Sequence, residues 1–157
     1  MELTIDIAIK RTNHSRLKEV NFDRLEFGQF TADHMLLCDY HDGEWQQPEI
    51  VPFADLCMNP ATLALHYGQS VFEGMKAFKM QNGWINIFRI NKHYERFARS
   101  LNRMCMAIPP QEIFTEGLLK LIEADKEWVP GQEGSSLYIR PFVYASETKL
   151  GVKVSEQ

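Results

Sequence analysis

The chain has 157 residues, of which 45% are apolar, and 17 Lys and Arg stand against 21 Asp and Glu for a net charge near −4. This length and apolar content predict one globular domain with a buried core and exclude a disordered tail. Basic and acidic residues are mixed along the sequence, so we expect neither a nucleic-acid partner nor a membrane partner. No apolar run reaches the roughly 20 residues of a membrane helix, and the N-terminus is charged where a signal peptide is apolar. The sequence therefore predicts a cytoplasmic protein.

The first part of the chain predicts an arm followed by two hairpins. Residues 1–26 alternate polar and apolar groups weakly and are predicted to be a loose N-terminal arm, with the domain itself in residues 27–157. The run HMLLCDY predicts a strand from His34 to Tyr40, followed by a turn at residues 41–44 and an extended segment from Trp45 to Phe53. Leu63 to Phe78 predicts a short helical turn that leads into a strand. The sequence QNG and the following strand WINIF then indicate a second hairpin.

After Phe88 the apolar residues recur every three or four positions, which is typical of amphipathic helices. The first helix is predicted to end at Pro109 and Pro110, and the second to run from Gln111 to about Trp128. A single buried strand, SLYIRPFVYA, is then predicted from Ser136 to Ala145. The order of elements predicts an α+β domain with helices packed on one side of a mostly antiparallel sheet.

Two arginines are candidates for binding an anion. Arg89 directly follows the strand WINIF at the start of a helix, where backbone N–H groups and the helix dipole favour a phosphate, although a surface ion pair is equally typical of such a position. Arg140 is predicted to lie inside the apolar strand, on the same face as Tyr138. A buried arginine needs a partner, so either a buried carboxylate neutralises it or it lines a polar pocket.

Other chemistries have little support in the sequence. The small-residue segment with His66, Tyr67, Phe72, Glu73 and Gly74 is typical of a packing corner, in which Gly68 and Gly74 allow close approach of the backbone. The five histidines lack the spacing of metal ligands, so no metal site is expected. No serine lies in a GxSxG motif, and the glycines form neither GxGxxG nor a phosphate-binding loop of the Walker type.

From the segment LALHYGQSVFEGMKAFK onward, the sequence resembles the branched-chain amino-acid aminotransferases, which are pyridoxal-phosphate enzymes of fold type IV. Further segments fit the family in the same order and together cover about Phe27 to Val152. They are FGQFTADHMLLCDYHDGEW, FRINKHYERFARSLNRMCM, LLKLIEADKEWVP and SSLYIRPFVYASETKLGV. The resemblance implies the smaller N-terminal domain of an enzyme that moves an amino group between Leu, Ile or Val and 2-oxoglutarate.

The resemblance also implies roles for individual residues. Arg89 matches the arginine that binds the phosphate of pyridoxal 5'-phosphate, and Arg140 matches a pocket arginine that helps hold the substrate carboxylate. Aromatic residues that line the substrate side of the cofactor match Phe27, Tyr67, Phe72 and Tyr138. A loop that crosses the dimer interface to the neighbouring pocket matches Leu150, Gly151 and Val152, which implies a homodimer.

The family's catalytic lysine lies in a C-terminal domain that these 157 residues do not include. The resemblance therefore implies no catalytic residue in this chain, weak or no binding of pyridoxal phosphate by the chain alone, and no transaminase activity without the missing domain. Family members also finish the N-terminal domain with a further strand, so we expect an open sheet edge and self-association or swapping. Two alternatives remain, namely a relative of fold type IV such as a D-amino-acid aminotransferase or an aminodeoxychorismate lyase, and a non-catalytic dimerisation module.

Overall fold

The structure is a computed structural model that describes residues 5–157. Its α-helices are α1 (Leu63–Tyr67), α2 (Ile90–Arg103) and α3 (Gln111–Ala124). The strands are β1 (Ala8–Ile9), β2 (His34–Leu37), β3 (Tyr40–His41), β4 (Glu44–Trp45), β5 (Glu49–Pro52), β6 (Ser70–Phe72), β7 (Met75–Lys79), β8 (Ile85–Ile87), β9 (Leu137–Ile139) and β10 (Phe142–Tyr144). This arrangement confirms the predicted α+β class.

The first hairpin forms as predicted. Strands β2 and β5 pair antiparallel, with His34 opposite Pro52 and Leu37 opposite Glu49. At its tip β3 and β4 also pair, and the turn between them places Asp42 at φ 55° and Gly43 at φ 83°. Two consecutive positive φ values match the twist of the flanking strands, which is why the sequence Asp-Gly is favoured there.

The N-terminal arm is partly attached, so the expectation of a loose arm is wrong for residues 7–10. Strand β1 pairs in parallel with β5 and gives a three-stranded sheet in the order β1-β5-β2. Ile7 is only 2% exposed, and the N–H of Lys10 donates to the carbonyl of Ile50. Burial of an apolar side chain and new backbone hydrogen bonds offset the entropy lost by ordering the arm.

The single strand predicted from Ser136 to Ala145 is two strands in the structure. Strand β9 pairs with β7, and β10 pairs with β6, so the two halves of the segment lie in different sheets. The break falls at Arg140 and Pro141, and proline has no N–H with which to continue a ladder of hydrogen bonds. The other sheet has the order β8-β7-β9, and its β7–β8 hairpin confirms the turn at QNG.

The helices pack one face of this second sheet. Phe97 and Leu101 of α2 and Phe114, Leu118 and Ile122 of α3 form the core together with Met75, Ala77 and Ile139 from the strands. Helix α2 ends at Arg103 rather than at Pro109 as predicted, because Cys105 turns into the left-handed region at φ 55°. Helix α3 continues into a 3-10 turn at Lys126–Trp128, close to its predicted end.

Helix α3 also carries the first sheet. Leu36 of β2 lies against Gly117, where an added Cβ would come within 2.7 Å of its Cδ2 atom, so only glycine allows this approach. At the end of α3 the buried Asp125 accepts hydrogen bonds from the backbone N–H of His34 at 2.9 Å and from its Nδ1 atom at 2.6 Å. In residues 5–157, no helix is long and apolar enough to cross a membrane.

Candidate functional site

The candidate site lies at one end of the β8-β7-β9 sheet. Both β8 and β9 run antiparallel to β7, so both leave the sheet at the end where β7 begins, with Ile139 opposite Met75. Arg89 follows the end of β8 by two residues, and Arg140 directly follows β9. Phe72, Glu73 and Gly74 precede β7 at this same end. The topology therefore brings together three segments that are far apart in the sequence.

Four of the residues singled out in the sequence are in contact. Arg140 donates from Nε and Nη2 to the hydroxyl of Tyr138 at 3.1 and 3.0 Å. Its guanidinium lies over the ring of Phe72, 4.2 Å from the centroid, in a cation–π contact. The ring of Phe27 meets Tyr138 edge to face at 5.1 Å between centroids. Phe27 and Phe72 are 79% and 62% exposed, so the cluster forms an open aromatic surface around one cation.

The expectation that Arg140 is buried is wrong. The break before Pro141 turns its side chain out of the strand, and the side chain is exposed. Among the ion pairs of residues 5–157 none includes Arg140, so no carboxylate of the described chain neutralises it. The predicted contact with Tyr138 on the same face is present. Of the two alternatives for its partner, only the polar pocket is compatible with the structure.

A buried carboxylate fixes the corner that carries Phe72. Glu73 is 4% exposed and accepts hydrogen bonds from Nε of Arg96 at 2.6 Å, from Nη2 of the same guanidinium, and from the N–H of Gly74 at 2.7 Å. Its own N–H donates to the carbonyl of Pro141 at 2.8 Å. Glu73 thus joins the corner both to helix α2 and to the segment that carries Arg140.

These hydrogen bonds also change the acidity of Glu73. Burial alone raises the pKa of its carboxyl, but the hydrogen bonds from Arg96 and Gly74, a weaker one from His93 and the charge of Arg96 outweigh it and lower the pKa to about 2. The carboxylate is therefore charged at neutral pH. It is fully occupied with its partners, which makes it a structural anion rather than a proton carrier.

Gly74 allows Tyr138 to approach the corner. An added Cβ would overlap the Tyr138 hydroxyl and come within 3.0 Å of its Cζ atom. This confirms the close approach predicted for Gly74 from the sequence. Gly68 behaves differently, because a Cβ there would have open space and the requirement is its left-handed φ of 66° at the end of α1.

Arg89 occupies a strained position at the start of α2. It is the N-cap residue and has φ 56° and ψ 42°, a left-handed conformation that costs most residues energy. Its side chain is exposed, and its guanidinium lies 6.0 Å from the ring of its neighbour Phe88. No ion pair within the described chain includes Arg89, so its N–H donors are free to bind an anion from outside.

Two of the predicted groups stand apart from the cluster. Tyr67 is 50% exposed at the end of α1, with its ring 6.3 Å from that of His66, and no hydrogen bond or ring contact in residues 5–157 joins it to Tyr138 or Arg140. Leu150 and Val152 are 56% and 95% exposed, and Gly151 between them has open space around it. The roles predicted for these residues remain predictions.

The pairing of Glu73 with Arg96 was not predicted from the sequence. The two residues are 23 positions apart, and the spacing of Arg96 within α2 resembles that of the other solvent-facing charges of the helix. A possible signal was the position of a glutamate between an aromatic residue and a glycine in an apolar segment, since a buried carboxylate requires a cationic partner.

The chain is similar to curated branched-chain aminotransferases. No family model matches it. It is 46% identical over 132 residues to branched-chain-amino-acid transaminase 1 of Bacillus subtilis strain 168, covering 83% of this chain and 37% of that protein. It is 41% identical over 152 residues to a probable branched-chain-amino-acid aminotransferase of Staphylococcus aureus strain N315, covering 96% and 42%. The chain thus spans about two fifths of the length of these relatives.

Solved structures show the same relationship. The branched-chain amino acid aminotransferase from Escherichia coli aligns with a TM-score of 0.58 and 25% identity over 79% of this chain and 37% of its own. The T.th. branched-chain amino acid aminotransferase complexed with N-(5'-phosphopyridoxyl)-L-glutamate aligns with a TM-score of 0.55 and 33% identity over 67% and 33%. The chain therefore belongs with the branched-chain-amino-acid aminotransferases, a family that uses pyridoxal phosphate, and matches their N-terminal domain.

Proposed function

We propose that this chain supplies the substrate pocket and the phosphate-binding arginine of an enzyme that transfers an amino group between Leu, Ile or Val and 2-oxoglutarate. One observation carries the proposal. Arg89 and Arg140 leave the same end of one sheet, and neither has a carboxylate partner within residues 5–157. Two unneutralised cations beside an aromatic surface suit a ligand that has two anionic groups and an apolar part.

Arg89 would hold the phosphate of pyridoxal 5'-phosphate. It stands at the N-terminus of a 14-residue helix, where the free N–H groups and the helix dipole also favour an anion. A guanidinium can donate two parallel hydrogen bonds to phosphate oxygens and stays protonated at every physiological pH. The strained backbone of Arg89 is consistent with a position selected for binding rather than for stability. When bound, the cofactor supplies the electron sink that amino transfer requires.

Arg140 would hold the substrate carboxylate, with the Tyr138 hydroxyl beside it to accept or donate a further hydrogen bond. The hydrogen bonds from Arg140 to Tyr138 and its contact with Phe72 fix the guanidinium at the edge of the aromatic surface. Phe27, Phe72 and Tyr138, with Tyr67 nearby in the sequence-based prediction, would form an apolar wall. Such a wall favours branched aliphatic side chains and offers no partner to a charged one.

The remaining parts of the site would come from outside these residues. The lysine that forms the Schiff base with the cofactor is expected in the further three fifths that the relatives possess, so this chain alone should not catalyse transamination. The segment of Leu150, Gly151 and Val152 would reach the pocket of a second subunit in a homodimer. The cytoplasmic location stays a prediction from the sequence.

A chimera tests the proposal. In it, this chain replaces the matched region of the Bacillus subtilis transaminase 1, which provides the remaining part of the enzyme. We expect the chimera to transaminate 2-oxoglutarate with leucine as donor and to be inactive with D-alanine. Arg140→Ala should raise the KM for leucine by roughly tenfold or more, because one charge-assisted carboxylate contact is lost. Arg99→Ala, which removes an exposed arginine elsewhere on α2, is the matched control and should leave the KM unchanged.

The same assay distinguishes the alternatives. Activity with D-alanine but not with leucine would assign the chain to a different substrate class of the same fold. A folded chimera that binds the cofactor but uses neither donor would refute the enzyme proposal in favour of a non-catalytic module. Equal KM values for the Arg140→Ala and Arg99→Ala variants would refute the role of Arg140.

A further inference from the structure

A large apolar cleft lies between the two sheets, away from the candidate site. Its volume is about 680 Å³. One wall is β2, the opposite wall is formed by β9 and β10, and the floor is the face of α3 that carries Ile113, Leu118 and Leu121. The candidate-site arginine Arg140 borders the cleft only through the chain that leaves β9.

Both walls of the cleft are sheet edges. Strand β2 is the last strand of the order β1-β5-β2, and β9 is the last strand of β8-β7-β9. Helix α3 lies beneath both, since Gly117 contacts Leu36 of β2 while Phe114 and Ile122 lie in the core with Ile139 of β9. Edge strands present backbone N–H and C=O groups that can pair with a further strand. The cleft is therefore shaped to receive a strand between two edges, above an apolar floor.

The C-terminal segment of the chain has the pattern of such a strand. In residues 149–155 the apolar residues Leu150, Val152 and Val154 alternate with Lys149, Gly151 and Lys153. Alternation with a period of two is typical of a strand with one buried face. The three apolar side chains are 56%, 95% and 50% exposed. This segment, which we name the C-terminal tail, thus has an apolar face that the rest of the described chain does not cover.

The connection to the tail favours insertion into a second molecule. The residues after β10 are held extended along the start of α1, where the N–H of Leu63 donates to the carbonyl of Glu147 at 2.9 Å and the N–H of Ala64 to that of Ala145 at 3.1 Å. Ala145 is fully buried. A tight turn at these positions would break both hydrogen bonds, so the tail cannot fold back beside β10 as the second strand of a hairpin.

The contacts that hold the tail are weak by comparison. Lys153 forms an ion pair with Glu147 at 2.6 Å, and the N–H of Glu156 donates to the same carboxylate at 3.1 Å. Ion pairs at the surface contribute little to stability. The charges also suit the exchange, because Asp39 lies exposed at the rim of the cleft, outside every ion pair of residues 5–157, and the tail carries two lysines on its polar face.

We propose that two copies of this 157-residue chain exchange their C-terminal tails, each tail lying as a strand in the cleft between β2 and β9 of the other copy. The exchange is reciprocal about a two-fold axis, as in most homodimers. It does not depend on the proposed function, because it uses neither Arg89 nor Arg140.

Sedimentation velocity over a range of concentrations tests the exchange. We expect a monomer–dimer equilibrium for the unaltered chain and a dissociation constant raised by about a hundredfold in Val152→Asp, because a carboxylate would enter an apolar cleft. Val152 is 95% exposed, so this variant keeps the fold of the monomer. Gly151→Asp introduces the same residue on the opposite face of the strand, in open space, and should leave the dissociation constant unchanged.

Hydrogen exchange then locates the interface. In the exchanged dimer the backbone amides of β2 and β9 that face the cleft become protected, and Val152→Asp removes this protection. A monomer at every concentration would overturn the proposal, and so would a dimer in which these amides exchange freely, which would have a different interface. Protection of the amides in a monomer would show a tail inserted into its own cleft and would equally overturn the exchange.

Discussion

Glu73 offers the most quantitative test of the corner that carries Phe72. Replacing it by Gln keeps the size of the side chain and one hydrogen-bond acceptor but removes the charge that Arg96 binds. The structure predicts a loss of folding stability, because the guanidinium then donates to a neutral partner in a site where the carboxylate is only 4% exposed.

The size of the loss follows from the pKa of Glu73. Hydrogen bonds and the charge of Arg96, opposed by burial, lower it from 4.5 to about 2. At about 1.4 kcal/mol per pKa unit this difference corresponds to about 3 kcal/mol. The Arg96 side chain is 59% exposed and therefore partly screened by water, which reduces the expected loss at pH 7 to about 2 kcal/mol.

The pH dependence has a definite sign. Because the pKa is lower in the folded state, the carboxylate stabilises the fold fully above its unfolded pKa, and this contribution is lost as the pH falls from about 5 toward 2. The difference in stability between the unaltered chain and Glu73→Gln should therefore be largest at neutral pH and shrink steadily in acid.

Urea denaturation followed by tryptophan fluorescence, repeated between pH 7 and pH 3.5, measures this difference. Glu95→Gln is the matched control, because Glu95 lies on α2 with its side chain 47% exposed and pairs only with Lys92 at the surface. It should change the free energy of unfolding far less. Equal losses for the two variants, or a loss in Glu73→Gln that does not change with pH, would refute this role of the buried carboxylate.

Three further substitutions have predicted outcomes. Gly74→Ala should displace the ring of Tyr138, which NMR chemical shifts of the tyrosine ring would detect. Arg89→Gly should raise the free energy of unfolding by about 1 kcal/mol in urea denaturation, because glycine adopts the left-handed conformation without strain. His34→Leu should lower it by about 3 kcal/mol, since it removes the ring that donates to the buried Asp125.

Each of these variants has a control in the same chain. Gly151→Ala meets open space and should leave the Tyr138 resonances unchanged. Arg99→Gly lies inside α2 and should destabilise the fold by about 1 kcal/mol, which is opposite in sign to Arg89→Gly. His41→Leu removes a half-exposed ring that contacts an exposed aspartate and should have little effect. Variants that behaved like their controls would contradict the corresponding contact.

The sequence predicted those elements whose signals are local. The Asp-Gly and Asn-Gly turns, the short helical turn before β6 and the two amphipathic helices depend on neighbouring residues, and all of them are present. The pairing of β1 with β5 was missed because two residues in a polar arm carry almost no periodicity. The division of Ser136 to Ala145 was missed because a proline in an apolar run shows only that the ladder breaks, and not that the two halves join different sheets.

The candidate site shows the same limit. Tyr138 and Arg140 were predicted to share a face because strand residues two apart do so, and they are hydrogen-bonded. Whether Arg140 is buried depends on the break at Pro141, which changes the direction of the chain. The proximity of Arg89, Arg140 and the Phe72 corner depends on strand order, and the partner of Glu73 lies on a helix 23 residues away. Neither strand order nor a contact between distant segments is encoded in local periodicity.

The affinity of the chimeric enzyme for pyridoxal 5'-phosphate tests most directly that this chain supplies the phosphate site. The dissociation constant is measured by absorbance titration for the unaltered chimera, for Arg89→Ala and for Arg99→Ala. Loss of one bidentate, charge-assisted contact should raise it by roughly tenfold to a hundredfold in Arg89→Ala and leave it unchanged in Arg99→Ala. A dissociation constant unaffected by Arg89→Ala would show that the phosphate is held elsewhere.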